Sequence, residues 1–248
     1  MTVPPEDREQ PLVAHLIELR DRLLRSLLAV LACFALLFPW SNELYALAAR
    51  PLLALLPEGS SMIATDVASP FFAPFKLTLL AALLLALPYL FWQVWAFVAP
   101  GLYRHERSLL WPLMAASVLL FYAGMAFAYF VVFPILFQFF TTVGPEQVRV
   151  MTDISAYLDF VLKLFFAFGV AFQVPVAVIL LCRAGVVEPS RLAAKRPYVV
   201  VGCFVAGMLL TPPDVFSQTL LAVPMWLLFE AGLAVGRRVA PKEQQSVS

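Results

Sequence analysis

Residues 156–182 read AYLDFVLKLFFAFGVAFQVPVAVILLC. Across this run only Asp159 and Lys163 carry charge, both near its start, and no turn-forming cluster interrupts it. A helix rises ~1.5 Å per residue, so ~20 apolar residues cross a hydrocarbon layer ~30 Å thick. In lipid the backbone must satisfy its own hydrogen bonds, which leaves helices or closed barrels. The run is too long and too uniformly apolar for a barrel strand of ~10 alternating residues. It is a membrane-spanning helix.

The same reading extends in both directions, to segments 24–40, 76–98, 109–137, 197–211 and 215–235. The fold class is therefore an all-α integral membrane protein of six spans, forming one polytopic domain over 1–248. An amphipathic segment (1–23) precedes the spans and a polar tail (238–248) follows them. Composition agrees: the 248 residues are 62% hydrophobic and 13% charged, with a mean hydropathy of +0.87. A soluble domain is about half apolar and about a quarter charged. The third span is long enough to tilt or project. The fifth, at ~1.5 Å per residue, reaches only ~22 Å. Thr211-Pro212-Pro213-Asp214 then turns the chain back, with Asp214 placed to cap the last helix.

The polar residues 1–25 lack the short apolar core and cleavage site of a secretory signal, so the first span is expected to direct insertion. Basic residues set the orientation. One side collects Arg8, Arg20, Arg22, Arg25, Arg104, Arg107, Arg183, Arg191, Lys195, Arg196, Arg237, Arg238 and Lys242; the other holds Arg50 and Arg149, with Lys76 and Lys163 at span borders. Both termini are expected in the cytoplasm of a bacterial-type inner membrane. In the long outer loop, Ser41–Leu56 has an apolar face (Leu44, Leu47, Ala48, Pro51, Leu52, Leu55) that predicts an interfacial helix, kinked or started by Pro51. Ala68–Phe75, rich in Pro and Phe, predicts an irregular cap.

Enzymatic motifs are missing. There is no phosphate-binding GxxxxGK[ST] loop, no HExxH helix and no GxSxG elbow. His15 and His105 lie at the cytoplasmic edge, and Cys33, Cys182 and Cys203 are far apart and without CxxC spacing. Neither a disulfide framework nor a zinc site follows, no cofactor or nucleic-acid partner is implied, and transport is favoured over catalysis.

Four polar features need explaining. His15–Leu23 places Leu16, Leu19 and Leu23 on one face, with arginines able to snorkel; Glu18 and Asp21 fit an anionic leaflet poorly, unless they pair with Arg22 and Arg25. Glu106, between Arg104 and Arg107, is either one member of a surface salt-bridge network or a carboxylate set to accept a ligand guanidinium. Trp92, Trp95 and Tyr103 read as an aromatic belt. Gln173, two residues before Pro175, either satisfies backbone freed within its own helix or bonds a neighbouring helix. Glu230 reads as snorkelled or paired.

Four stretches then converge. His15-Leu16-Ile17-Glu18-Leu19-Arg20, Met62 to Phe72, Ala99 to Arg107 and Leu210 to Gln218 together resemble the TatC family, the multi-spanning subunit of the twin-arginine protein translocase. The match runs in order from about His15 to Glu230. The resemblance implies a glove-like six-helix receptor that binds twin-arginine signal peptides of folded proteins at its cytoplasmic face. Glu18 and Glu106 match the acidic binding positions, and Arg20 and Phe97 match neighbouring ones. It also implies small single-span partner subunits of the TatA/TatB type, a homo-oligomer within the complex, and transport driven by the protonmotive force. Gln173 stands where the family often has Glu, at an intramembrane contact with partner subunits; Pro51, Asp214 and, on the same side, Gln218 match the outer surface. The rival readings are a small-solute transporter, for which only Gln173 approaches a midplane site, a membrane enzyme, and a scaffold for other membrane subunits.

Overall fold

A computed structural model of the chain describes residues 11–53, 63–98, 110–142, 153–211 and 214–239. These are helical almost throughout: α1 (Pro11–Leu37), a 3-10 turn (Phe38–Trp40), α2 (Ser41–Leu53), α3 (Ser69–Val98), α4 (Leu110–Phe127), a π-helical turn (Ala128–Val132), α5 (Phe133–Thr142), α6 (Ile154–Ala171), α7 (Val174–Arg183), α8 (Pro189–Ala194), α9 (Arg196–Leu210) and α10 (Val215–Val239). Among the described residues, five runs are long and apolar enough to cross a membrane: Ala14–Arg50, Ser69–Phe97, Trp111–Phe140, Ile154–Arg183 and Val215–Val239. Helix α9 is apolar but has only 15 residues, as its sequence foretold.

Several boundaries differ from the sequence reading. The amphipathic segment does not end before the first span; from Pro11 onward it is the same helix. Helix α3 begins at Ser69, so the expected irregular cap is its first two turns. Pro70 is the second helical residue, where an N–H has no intrahelical acceptor and its loss costs nothing. The carbonyl of Ala68 accepts from the Phe71 and Phe72 amides. Helix α2 starts at Ser41 and runs past Pro51, so Pro51 does not start it, and its apolar face turns partly inward. Leu44, Tyr45 and Ala48 pack with Ala73, Leu77 and Leu158, and the Tyr157 hydroxyl donates to the Ala48 carbonyl at 2.9 Å. Leu47 stays exposed. Helix α10 continues to Val239, two residues into the expected tail.

Proline accounts for the two irregular spans. The π turn, Ala128–Val132, occupies the turn that precedes Pro134, whose missing N–H and ring disturb it. The fourth span breaks at Phe172–Gln173, where Pro175 cannot donate to the preceding turn, and resumes as α7. At its end Gly185 adopts φ 66°, and the Val186 amide reaches back to the Leu181 carbonyl at 3.1 Å. This left-handed cap turns the chain into α8.

Aromatic packing and close glycine contacts hold the centre together. Ala128, Val132, Phe133, Leu136 and Phe137 bury against Tyr157, Val161, Leu164, Phe165, Phe168 and Leu221. A Cβ on Gly124 would lie 2.5 Å from the Phe168 carbonyl oxygen, so α4 and α6 approach backbone to backbone. Gly232 and Gly236, in GxxxG spacing, seat α10 on α7: a Cβ at Gly232 would lie 2.7 Å from Pro175 Cα. Arg196 and Glu230 join α9 to α10 through two parallel bonds of 2.6 and 2.7 Å, which gives Glu230 a partner.

Candidate functional site

Residues three and four apart share one face of a helix, so His15, Glu18 and Arg22 project together from α1. Gln93, Ala96 and Phe97 do the same near the end of α3. The two faces meet. Arg22 donates to Glu18 Oε1 through Nε at 2.9 Å and Nη2 at 2.6 Å. Its Nη1 donates to Gln93 Oε1 at 3.0 Å, and Nη2 also reaches the Ala96 carbonyl at 3.4 Å. The Gln93 amide in turn donates to the Tyr89 hydroxyl at 2.7 Å. Arg22 is therefore a bracket between helices, more than the expected i,i+4 surface partner of Glu18.

This bracket uses only one oxygen of Glu18. The other, Oε2, has His15 Nδ1 at 4.0 Å, and the Glu18 side chain keeps 37% exposure. The His15 ring stacks on Phe97 with centroids 4.1 Å apart and planes 14° from parallel. An open carboxylate oxygen beside flat aromatic faces suits a planar cation: the oxygen accepts its N–H groups and the rings attract its charge.

Behind this face a second polar chain crosses the bundle. Trp95, expected in an aromatic belt, is buried instead. Its indole N–H donates to Ser117 Oγ at 3.3 Å. Gln173 Nε2 donates to the Ser117 carbonyl at 3.0 Å, so of its two readings the bond to another helix is the one realised. The break before Pro175 and the second turn of α4 are thereby tied, through Ser117, to α3.

The remaining predicted residues do not join this cluster. Arg20 turns to Asp21, donating to Oδ1 at 2.9 and 2.8 Å. Glu106 lies outside the described residues, as does the side chain of Pro51. Asp214, at the opposite end of the helices, accepts from the Ser217 amide at 2.7 Å and caps α10 as expected. Gln218 follows in that first turn, its backbone against Gly207.

One contact on the Asp214 side was not anticipated. Asp153 caps α6, accepting from the Ala156 amide at 2.8 Å. Its other oxygen takes the Thr65 amide at 2.9 Å and the Thr65 hydroxyl at 2.7 Å. These bonds, the Ala156 amide foremost, hold the Asp153 carboxyl down at about 2. Lys76 of α3 and Asp159 of α6 pair nearby at 2.7 Å. Among the described residues no group of three or more His, Cys, Asp or Glu is placed to hold a metal ion.

Apolar helices long enough to span a membrane, packed at close glycine contacts and carrying a part-exposed carboxylate at one end, define a polytopic integral membrane protein. Similarity to known proteins specifies which kind. The model of the family described as "Sec-independent protein translocase protein (TatC)" matches residues 14–224. A protein of that name from Azotobacter chroococcum mcd 1 is 65% identical over 245 residues, covering 99% of this chain and 96% of its own. Another from Escherichia coli K12 is 60% identical over 228 residues, 92% of this chain and 88% of its own. A crystal structure of a twin-arginine translocase receptor, TatC, superposes with a TM-score of 0.81 at 36% identity, covering 91% of this chain and 99% of that one. The chain belongs to the TatC family and is an integral membrane component of a twin-arginine, Sec-independent protein translocase.

Proposed function

We propose that this chain is the signal receptor of its translocase: it binds the paired arginines of signal peptides on folded precursors at the face formed by His15, Glu18 and Phe97. The observation that carries this reading is Glu18 itself. Arg22 and Gln93 hold it against α3 so that one carboxylate oxygen is filled and the other is open. A guanidinium meets that oxygen with two N–H groups, whereas a lysine ammonium is a point charge without the planar fork. Glu106 supplies the second carboxylate and Arg20 borders the site. The similar protein of known crystal structure is itself described as a receptor, which supports the same assignment.

In this reading the receptor face is cytoplasmic, both termini are inside, and α9 is a sixth, short span of a single glove-like domain. Single-span subunits of the TatA/TatB type and further copies of the chain assemble around it, Gln173 contributes to intramembrane contact with those partners, and the protonmotive force drives passage. Pro51, Asp214 and Gln218 act on the outer side, where Asp214 serves at least as a helix cap.

The test is export in a bacterium lacking its own multi-spanning subunit, supplied with this chain and its single-span partners. A folded reporter with a twin-arginine signal reaches the periplasm, and the twin-lysine version stays inside. Equal export of both, or of neither despite normal membrane levels, contradicts a receptor role.

A further inference from the structure

Helix α6 carries a second lysine one turn below the Lys76–Asp159 pair. Lys163 is exposed, and among the described residues no carboxylate lies within 4.0 Å of it; Asp159 gives its Oδ1 to Lys76 at 2.7 Å. The one carboxylate on this stretch of α6 is thus taken by Lys76, leaving the Lys163 charge uncompensated about two and a half turns into a spanning segment. A charge at that depth calls for an anion or for snorkelling to the headgroups.

Lys163 also stands at the head of an open apolar groove of about 460 Å³. One wall descends α6 to Val174, and the other follows α9 from Val199 to Leu210. The helices run antiparallel, so Lys163 and Leu210 share one end. Each wall advances by eleven residues, ~16 Å at ~1.5 Å per residue. That is close to the ~15 Å of hydrocarbon in one leaflet. The short helix α9 ends at the level of Lys163, so the headgroup plane beside it has reason to dip to that depth.

We propose that this groove binds an anionic phospholipid, with its phosphate at Lys163 and an acyl chain along the walls. A cationic head on an apolar slot one leaflet deep fits that ligand, and it is independent of the receptor face at the far end of α1. The bound lipid neutralises the extra amine and fills the surface between α6 and α9.

Gly202 supplies the probe position, because it lines the groove and a Cβ there meets nothing within 4 Å. Gly202→p-benzoylphenylalanine is placed in the full chain, in nanodiscs of phosphatidylcholine with a minority of phosphatidylglycerol, irradiated, and its lipid adducts are weighed. Phosphatidylglycerol adducts exceed their bulk share about fivefold, matching ~1 kcal/mol per basic residue. The excess disappears in Lys163→Leu, an apolar change on an exposed span surface that preserves folding, and persists in Lys163→Arg. Adducts that track the bulk composition in all three proteins overturn the proposal. So does capture of a membrane polypeptide in place of lipid when the same probe is irradiated in native membranes.

Discussion

The first helical run and the fourth contrast sharply. Between Ala14 and Arg50 only Ala49 is buried, and Leu23, Leu28 and Leu36 are more than half exposed. Helix α6 buries eight residues, including Leu158, Val161, Leu164 and Phe168. One helix is anchored by particular polar and aromatic contacts near its ends; the other is the axis of a packed core. The anchoring contacts of α1 are also the candidate receptor face. Leucines in lipid contribute nothing by leaving water, so α1 can keep an apolar surface open while the contacts of His15, Arg22 and Phe34 with α3 fix its position.

Overpacking the core gives the largest expected loss. Gly124→Leu drives a side chain into the Phe168 carbonyl at a contact already 2.5 Å for a Cβ, and costs about 3 kcal/mol or more. Thermal inactivation in detergent reads it, with Leu28→Ala on α1 as the contrasting control, staying within about 0.5 kcal/mol. Equal losses at both sites erase the distinction between core and anchored helix.

Arg22→Ala removes the bracket while leaving Glu18 in place. Signal-peptide affinity falls about tenfold, since charged hydrogen bonds are worth about 1.5–3 kcal/mol, and the melting temperature shifts less than for Gly124→Leu. Gln173→Leu loses one interhelical bond worth about 0.6–2 kcal/mol, read by the same melt.

The smallest effect is the clasp at Asp153. Its carboxyl titrates at about 2 in place of 3.8, so a depressed acid stabilises the folded state above its unfolded value and loses that contribution as pH falls through the folded one. Hydrogen exchange at the Thr65 and Ala156 amides is unchanged between pH 7 and about 5, after correction for intrinsic rates, and protection falls between about 4 and 2. Asp153→Asn removes that pH dependence.

Much of this architecture is legible in residue order because lipid imposes a length and a polarity on each span. Pro175 signalled a freed backbone carbonyl, not the interruption of the span seen at Phe172–Gln173; the short α9 and the Asp214 cap follow from local chemistry alone. The start of α3 did not, because Pro70 and Pro74 read equally as loop residues until Pro70 is known to occupy a first turn. Gln93 offered a usable signal: a lone amide in an apolar span requires a partner. That the partner is Arg22, 71 residues away, is a fact of tertiary packing. Gly232 and Gly236 carried the spacing of a helix contact, but spacing alone does not say that α7 fills it.

The receptor reading stands or falls on whether Glu18, held by Arg22 and flanked by Phe97, receives a guanidinium. A photo-crosslinker at Phe97 in native membranes, offered precursors with twin-arginine or twin-lysine signals, answers this without intermediate steps. A guanidinium-accepting Glu18 predicts a crosslink to the arginine signal alone, lost when Glu18→Gln and Glu106→Gln are combined. Equal crosslinking of both signals, or its survival in the double variant, contradicts that role and reduces these carboxylates to ordinary surface ion pairs.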